Sequence, residues 1–543
     1  MLSQNKLSES VLDVLWSLDP VGSSHLGVTK YDGCLPPAQE DRVSEILGRL
    51  SRYAEEMDSL LKRPDLSASE RLDFEFALAN VRALLLKALS SPDRRNNPNW
   101  YMSAVNAGLH VLAARDWGSS QYKADRIAER LSAVPEFLEQ GKRSLVPQDV
   151  PPEWIEIALA SVRGHAAIIE NSVRPLLESI RGGSPADRKL CEESLRAVSS
   201  FGRFLSAMAA EAKGRFASGR EYFEYVLRNV HMVDMDAYTL REFGREKVRE
   251  YEAMLVAAAR RIDPNKHWTE LITEFKRCHP TPEDLLDSYR SEVRRAEEFV
   301  RERDLISIPE GQRWSVLPTP EFSRATSPLG HMRTSPPFAD GLDSVLYITP
   351  IDPAASAERQ RQHLEDNCYA FQRTIAFHEV IPGHHLQSCL SKIGVSDLRK
   401  QFRSTVFVEG WGLYTEVLMA EQGYLADPAT TLINLKNALW RAVRVVVDVG
   451  LHVDDMTLAE ATRLLQDNVR MEHHMASGEA RRYTMSPTYQ SSYLLGKEQI
   501  LKLRSDYQAK LGSAYTLKGF HDRLTGYGSV PVSLVRREMM AGR

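Results

Sequence analysis

The sequence predicts a mainly α-helical protein with one small β element, and three observations lead to this prediction. Most of the 543 residues carry Leu, Ala, Val and Ile at helical spacing among Arg and Glu. Pro and Gly mark the breaks between these segments. The best candidate for a strand is residues 344–349, Ser-Val-Leu-Tyr-Ile-Thr, which are rich in β-branched and aromatic side chains.

The composition is that of an ordinary globular protein. Hydrophobic residues make up 43% and charged residues 26% of the chain, which excludes collagen-like, low-complexity and wholly disordered classes. The net charge of −4, from 69 basic and 73 acidic residues, gives no support for binding to nucleic acid or to an anionic membrane. No run of 18 apolar residues predicts a transmembrane helix, and the first residues lack the pattern of a signal peptide. Five scattered cysteines without C-x-x-C spacing fit a reducing compartment, so we predict a cytoplasmic location.

Sequence patterns typical of helices cover both ends of the chain and are interrupted once. Apolar periodicity predicts helices near residues 38–63, 68–91, 97–115, 120–141, 153–181, 186–213 and 236–262. A further helix is predicted to start at Thr281-Pro282-Glu283-Asp284, which has a capping residue followed by Pro and acids.

The interruption, residues 307–356, is rich in Pro, Ser, Thr and Gly. Long irregular segments in compact domains usually bind something, although a plain linker has the same composition. We therefore predict an N-terminal helical region (1–306), an irregular and strand segment at the rim of a cleft (307–356), and a C-terminal helical catalytic region (357–543). The three regions are expected to form one continuous fold.

The most informative run is Phe377-His378-Glu379-Val380-Ile381-Pro382-Gly383-His384-His385. The zinc-binding pattern H-E-x-x-H places two histidines one helical turn apart, but here Pro382 occupies the second histidine position. On an unbroken helix His384 would point about 120° away from His378, and His385 would lie about 10 Å further along the axis. Pro and Gly permit a distortion, and we expect a two-residue bulge that brings His384 back to the metal.

A third metal ligand is expected on the next helical segment, residues 407–416. Glu409 would complete a set of two histidines and one carboxylate, which leaves one zinc position open for water. Glu379 would then remove a proton from that water. Glu416, two turns beyond Glu409, could orient a ligand histidine through a hydrogen bond.

The motifs H-E-x-x-P-G-H-H-x-Q and E-G-W-x-L-Y-x-E resemble those of a large bacterial domain-of-unknown-function family, whose members are often labelled zinc carboxypeptidases or peptidases. The segment Glu479–Tyr483 with Pro487 and Tyr493–Gly496 resembles the family's E-x-x-R-Y…P…Y-x-x-G segment. The resemblance implies a large multi-helix, metallopeptidase-like body with a central cleft, similar to helical gluzincin peptidases.

The resemblance also implies the roles of individual residues. It assigns one zinc ion per chain to His378, His384 and Glu409, and the role of base to Glu379. His385 would then lie behind the ligands or in the wall of the cleft. The alternative, in which His385 is the ligand and His384 is not, stays open.

The chain departs from the family pattern at two places. It has Thr488-Tyr489 where the family often has Gly-Gln, so specificity is open to change there. It also has Gly412 in place of Ala, which is expected to affect packing alone.

Four further residues are candidates for substrate contact. Hydrolysis of a peptide bond builds an oxyanion, for which Tyr493 is the first candidate donor and Tyr489 the second. Arg482 suits a substrate carboxylate through its forked guanidinium, and Tyr347 would line the cleft on a strand able to pair with a substrate backbone. The alternatives are satisfied core tyrosines and a structural salt bridge.

These patterns together predict a cytoplasmic zinc-dependent hydrolase, of metalloprotease or amidohydrolase type. Its substrates would be short peptides or small molecules containing an amide, cleaved in the manner of a carboxypeptidase or dipeptidase. No nucleic-acid or membrane partner is expected. Two alternatives stay open: a non-haem iron enzyme using the same two histidines and carboxylate, and a catalytically inactive helical binding protein.

Overall fold

The computed structural model of the chain describes residues 3–115, 118–321, 324, 327 and 329–541. The chain is 71% helical with one three-stranded sheet, which confirms the prediction of a mainly α-helical fold with a small β element. Residues 1–216 with 336–339 form one compact unit, and residues 217–335 with 340–543 form a second. The division of the sequence at residues 306 and 356, and the central cleft, remain predictions. Part of the irregular segment, residues 322, 323, 325, 326 and 328, lies outside the described residues.

The described residues of the first unit form ten α-helices. They are α1 (Gln4–Leu18), α2 (Pro20–His25), α3 (Glu40–Leu61), α4 (Ala68–Ser90), α5 (Asp93–Asn96), α6 (Pro98–Ala113), α7 (Ser120–Ser144), α8 (Pro152–Ile168), α9 (Arg174–Arg181) and α10 (Pro185–Met208). Local signals explain the ends of several of them. Ser67 and Glu70, for example, form a reciprocal capping box at the start of α4.

The second unit holds the remaining helices and the sheet. Its helices are α11 (Arg220–Tyr225), α12 (Ala237–Ile262), α13 (Trp268–Lys276), α14 (Leu285–Glu302), α15 (Ala357–Asp366), α16 (Tyr369–Ile375), α17 (His384–Leu390), α18 (Asp397–Gln401), α19 (Thr405–Glu421), α20 (Pro428–Val453), α21 (Leu458–Val469), α22 (His473–Tyr483), α23 (Tyr489–Leu511), α24 (Leu517–Gly526) and α25 (Val532–Ala541). Its strands are β1 (Gln312–Pro318), β2 (Gly330–Arg333) and β3 (Leu342–Ile348). No described helix combines the length and the apolar character needed to cross a bilayer.

The seven helical segments predicted between residues 38 and 262 all coincide with helices. The segment 153–181 is two helices, α8 and α9, joined by a π-helical turn at Ile169–Val173. The helix predicted from Thr281 starts later, at Leu285, because Thr281 instead closes a turn in which its hydroxyl accepts the N–H of Asp284 at 3.2 Å.

The sheet has the order β1-β3-β2, with β1 parallel and β2 antiparallel to β3. The central strand β3 overlaps the predicted strand at 344–349, and its buried residues include Ser344, Val345 and Leu346. β2 is an edge strand, and in its register His331 stands opposite Tyr347. The sequence analysis did not identify β1 and β2 because both are short or polar and lie among Pro and Gly.

Helices α19 and α23 approach each other closely at two glycines. A Cβ atom on Gly410 would lie 2.4 Å from the Cα atom of Gly496, so no larger side chain fits at this crossing. Glu409 on α19 is thereby brought next to the first two turns of α23, which carry Tyr489 and Tyr493. The close crossing explains why both helices carry glycine at positions inside their length.

Candidate metal centre

The His-Glu pair lies on a π-helical turn that ends a helix. Residues Ala376–Val380 form this turn directly after α16, and Ile381 is extended with φ −131° and ψ 121°. Pro382 has no N–H with which to continue the helix, and α17 begins at His384. The two-residue bulge expected within one helix is therefore a break between two helices.

Gly383 allows the chain to fold back over that turn. A Cβ atom at position 383 would lie 1.7 Å from the carbonyl oxygen of His378 and 2.5 Å from that of Phe377. The backbone therefore crosses the turn at a distance that excludes any side chain. This crossing places the rings of His378 and His384 with centroids 4.9 Å apart and planes at 87°.

Three side chains form a compact cluster at this crossing. One ligand atom from each of His378, Glu379 and His384 lies within 4.8 Å of the others. Burial lowers the pKa of His384, so its imidazole is neutral at pH 7, the form that binds metal ions. Its Nδ1 atom is buried and has no hydrogen-bond partner among the described residues.

Glu416 holds the first histidine of the cluster. Its Oε1 lies 2.8 Å from Nδ1 of His378, and the carboxylate is 2% exposed. Burial alone would lower the pKa of His378, but the hydrogen bond and charge of Glu416 outweigh it and raise that pKa. Because Nδ1 faces the carboxylate, Nε2 is left for a metal ion. This is the geometry in which a carboxylate orients a ligand histidine.

Glu409, the third ligand predicted from the sequence, lies beside the cluster rather than within it. Its Oε2 is 3.7 Å from Nε2 of His384, while its Oε1 accepts a 2.6 Å hydrogen bond from the hydroxyl of Tyr489. Two carboxylates, those of Glu379 and Glu409, are thus near the histidines. Only one of them is needed as the third ligand of a four-coordinate zinc site with water.

Gly412 on α19 lies directly beside the two histidines of the cluster. A Cβ atom there would lie 2.9 Å from Cε1 of both His378 and His384, and 3.0 Å from Nε2 of His378. The sequence analysis expected Gly412 to affect packing alone. The structure places this glycine next to the rings of both candidate ligands. The short distances among the candidate ligand atoms, together with the orientation of His378, fit a metal ion.

Alanine at position 412 is expected to weaken metal binding. The added methyl group would displace both imidazole rings by a few tenths of an ångström, and we expect about a tenfold loss of zinc affinity in Gly412→Ala. Competition with a chromophoric chelator measures this loss. Gly478→Ala is the matched control, since nothing lies within 4 Å of a Cβ atom at that exposed position of α22. Equal affinity in both variants would contradict the role of Gly412.

His385 is directed into the sheet. Its Nδ1 lies 2.7 Å from the hydroxyl of Ser344 on β3, and its Nε2 lies 2.6 Å from Oε1 of Gln312 on β1. Both nitrogens of this fully buried ring are thereby occupied. The structure therefore disfavours His385 as the ligand in place of His384, and it gives His385 the role of joining α17 to the sheet.

The hydroxyls of the two candidate tyrosines form a short row that ends at the carboxylate of Glu409. The hydroxyls of Tyr489 and Tyr493 are 3.3 Å apart, and Tyr489 is the one that contacts the carboxylate. Burial raises the pKa of both phenols, so each keeps its proton at neutral pH and can donate it to a hydrogen bond. The departure from the family pattern at position 489 thus places a donor directly on a candidate ligand.

The start of α23 is held by a carboxylate from another helix. Asp448 on α20 accepts the backbone N–H groups of Thr488 at 3.1 Å and Ser491 at 3.0 Å. Thr488 has φ 69°, a left-handed conformation that costs a β-branched residue on the order of 1–2 kcal/mol. Its hydroxyl lies 2.8 Å from Nε2 of His231. These contacts hold the strained residue in place immediately before Tyr489.

Arg482, the predicted contact for a substrate carboxylate, is already paired. Its Nε and Nη2 donate to the two oxygens of Glu479 at 3.0 and 2.8 Å. Arg444, which the sequence analysis did not identify, lies 4.1 Å from the ring centroid of Trp440 and 5.0 Å from that of Tyr493. Its Nη2 shares Glu479 at 3.3 Å. No local motif marks Arg444 because its partners come from three different positions along the chain.

Glu479 makes a contribution to stability that depends on pH. Burial would raise its pKa, but hydrogen bonds and charges from Arg482 and Arg444 lower it from 4.5 to about 2. Since the folded pKa lies below the unfolded one, this stabilisation is present above about pH 4.5 and is lost as the pH falls towards 2. We expect the free energy of unfolding, measured with denaturant, to fall less in Glu479→Gln than in wild type when the pH is lowered from 6 to 3. Parallel losses would contradict this account.

Tyr347, near the end of the central strand β3, lies opposite His331 on the edge strand β2, with ring centroids 5.0 Å apart. Burial lowers the pKa of His331, and the negative charge of Glu379 acts against that effect. Its buried Nδ1 has no hydrogen-bond partner within the described part of the chain. The role predicted for Tyr347 at the cleft stays a prediction, and the sequence analysis did not single out His331.

Comparisons with known proteins identify the family and the fold. A family model described as "Bacterial protein of unknown function (DUF885)" matches residues 20–539. A protein from Shewanella oneidensis, described as "a putative lipoprotein of unknown function", has 21% identity and a TM-score of 0.83 over 99% of this chain and 100% of that one. Another from Colwellia psychrerythraea, a "putative lipoprotein", has 17% identity and a TM-score of 0.83 over 99% of both chains. No curated protein gives a significant match. At these identities the two structures establish the fold alone.

Proposed function

The chain belongs to DUF885, a bacterial family of unknown function, and we propose from its site that it is a zinc-dependent hydrolase of peptide or amide bonds. The observation that carries this proposal is the cluster of His378, Glu379 and His384 around one small space, with His378 oriented by a buried carboxylate. This combination supplies metal ligands and a base at the same point.

The zinc ligands in this proposal are His378, His384 and Glu409. Zinc, when bound, lowers the pKa of a water molecule and polarises a carbonyl group. Glu409 is the better third ligand because its second oxygen is held by Tyr489, as ligating carboxylates usually are. Glu379 then remains available as a base.

Glu379 and the tyrosines perform the proton chemistry. Glu379 accepts a proton as the water oxygen bonds to the carbonyl carbon, and it donates that proton to the leaving nitrogen as the C–N bond breaks. The hydroxyl of Tyr489 donates its one proton to Glu409, and the hydroxyl of Tyr493 lies 3.3 Å from that of Tyr489. Tyr493, the first candidate from the sequence, therefore keeps the role of donor to the oxyanion in this proposal, and Tyr489 holds the ligand carboxylate.

We propose short peptides, or small molecules that contain an amide, as substrates. β2 is an edge strand of the sheet, and an edge strand can pair with an extended peptide. The compartment is part of the proposal: the lipoprotein descriptions of the two structural neighbours favour the cell envelope for those proteins, against the cytoplasmic location predicted from this sequence. Fractionation of the native host decides between the two locations.

The test is turnover of a defined mixture of short peptides and acyl amides by the zinc-loaded protein, followed by mass spectrometry. We expect cleavage that stops when a chelator removes the metal and returns when zinc is added. Oxygen-dependent products with iron would favour the non-haem iron alternative. Binding without turnover under every metal condition would favour the binding-protein alternative.

A further inference from the structure

We propose that Arg441 is a positioning residue of the metal centre, which holds the carboxylate of Glu416 where that carboxylate orients His378. This inference rests on the proposed function, because it concerns the same zinc site. It adds to that site a cation in contact with the carboxylate that holds a ligand. Neither the family description nor the two similar structures assign a role to this arginine.

The carboxylate of Glu416 is buried and has few polar partners. It is 2% exposed, and its Oε1 lies 2.8 Å from Nδ1 of His378 and 3.7 Å from Nη2 of Arg441. Its other oxygen, Oε2, is also buried and has no hydrogen-bond partner in the part of the chain that the structure describes. The polar contacts that fix this carboxylate are therefore those with the histidine and the arginine.

Arg441 reaches this carboxylate from a separate helix, α20. Its side chain is 10% exposed, and its Nη1 donates to the carbonyl oxygen of Asn437, one turn earlier on α20, at 3.1 Å. Its Nε is buried and without a hydrogen-bond partner among the described residues. One terminal nitrogen of the guanidinium is thus fixed to its own helix, and the other lies near Glu416.

Arg444, one turn further along α20, is engaged by other groups. Its Nε donates to the hydroxyl of Tyr483 at 2.9 Å, and its Nη2 lies 3.3 Å from Glu479. Within the described residues, Glu416 is the one carboxylate that forms an ion pair with Arg441. The positive charge of Arg441 is therefore available to Glu416, whereas that of Arg444 is already used.

The cost of burying a charge explains why this arginine matters for the metal. A carboxylate removed from water is unfavourable unless an opposite charge and hydrogen bonds compensate it. Without Arg441, Glu416 would be a buried anion with one imidazole as its polar partner, and it would turn towards water or other donors. His378 would then lose the contact that fixes its ring. Loss of a group that holds a ligand histidine costs about 10–100-fold in metal affinity.

Zinc binding by Arg441→Met separates this role from two others. We expect about a tenfold loss of zinc affinity, and a changed visible absorption spectrum of the cobalt-loaded protein, which reports the arrangement of the ligands. A purely structural ion pair would contribute to the free energy of unfolding and leave both metal measurements unchanged in the variant. Removal of a positive charge near the metal would, by itself, strengthen zinc binding.

A double-mutant cycle shows whether Arg441 acts through the carboxylate. The double variant with Arg441→Met and Glu416→Gln carries no uncompensated charge at this place, so we expect it to fold even if Arg441→Met alone does not. It should bind zinc as Glu416→Gln alone does. A further loss of affinity in the double variant would overturn the inference. Wild-type or stronger zinc affinity in folded Arg441→Met would overturn it as well.

The control is Arg504→Met, which removes another ion pair of α19. Two nitrogens of Arg504 donate to Glu421, the last residue of that helix, at 2.7 and 2.8 Å. This variant should keep the zinc affinity and the cobalt spectrum of wild type.

The outcomes for the inference and for the hydrolase proposal are distinguishable. Unchanged zinc affinity in Arg441→Met, in a protein that hydrolyses peptides, would reject the role of Arg441 and leave the hydrolase standing. The expected loss of affinity, in a protein that hydrolyses none of the substrates, would reject the hydrolase and keep the positioning role. A wild-type protein that binds no zinc would reject both.

Discussion

Replacement of Glu379 by glutamine is expected to reduce turnover by about 10²–10⁴-fold while leaving zinc content and folding intact. The carboxylate lies within 4.8 Å of the ligand atoms of both histidines, where a base has to stand to take a proton from a metal-bound water. Glutamine keeps the size and shape of the side chain, but its amide accepts no proton at neutral pH. The measurement is kcat on the best peptide found, together with zinc per chain by elemental analysis.

The control for this variant is Glu302→Gln, at an exposed position at the end of α14. It should match wild type in both measurements. Loss of zinc in Glu379→Gln would show instead that Glu379 is the third ligand, and Glu409→Gln would then be expected to retain the metal. Undiminished turnover in Glu379→Gln would reject the role of base altogether.

Alanine at position 383 is expected to have the largest structural effect of any single substitution at the site. Its Cβ atom would overlap the carbonyl oxygen of His378 at 1.7 Å, and the nearest atoms are all backbone. The crossing between the π-helical turn and α17 would have to open, which we expect to destabilise the fold by about 3 kcal/mol or more. Zinc binding should be lost as well, because the crossing positions His384.

Gly48→Ala provides the comparison. Gly48 lies inside α3, and nothing stands within 4 Å of a Cβ atom there. Alanine should be neutral or stabilising at this position by up to about 1 kcal/mol, since glycine is a poor residue in a helix interior. Urea unfolding and zinc titration of both variants measure the contrast. Normal zinc affinity in Gly383→Ala would contradict the close crossing.

The helices and the metal motif were accessible from the sequence because their signals are local. Apolar periodicity predicted the helices from residue 38 to residue 262. Pro382 and Gly383 indicated that the helix is distorted between His378 and His384. Local reasoning could not tell a bulge from a break between two helices. That outcome depends on how closely the backbone of Gly383 can approach the carbonyl of His378.

Long-range pairing was not accessible from the sequence. Arg482 was the candidate carboxylate contact in the sequence, and only the structure shows that Glu479 already engages it. Likewise, His385 follows a candidate ligand directly but bonds to Gln312 and Ser344, which lie 73 and 41 residues away. A hydrogen-bond partner at such a separation leaves no pattern in a single sequence.

Zinc content across a series of histidine variants tests the central claim most directly. Wild type, His378→Ala, His384→Ala and His385→Gln would be loaded with zinc, freed of excess metal and analysed for zinc per chain. We predict about one zinc ion per chain in wild type and in His385→Gln, and none in His378→Ala or His384→Ala. Circular dichroism would show that each variant is folded. Zinc retained by folded His384→Ala, or absent from wild type after loading, would contradict the metal centre described above.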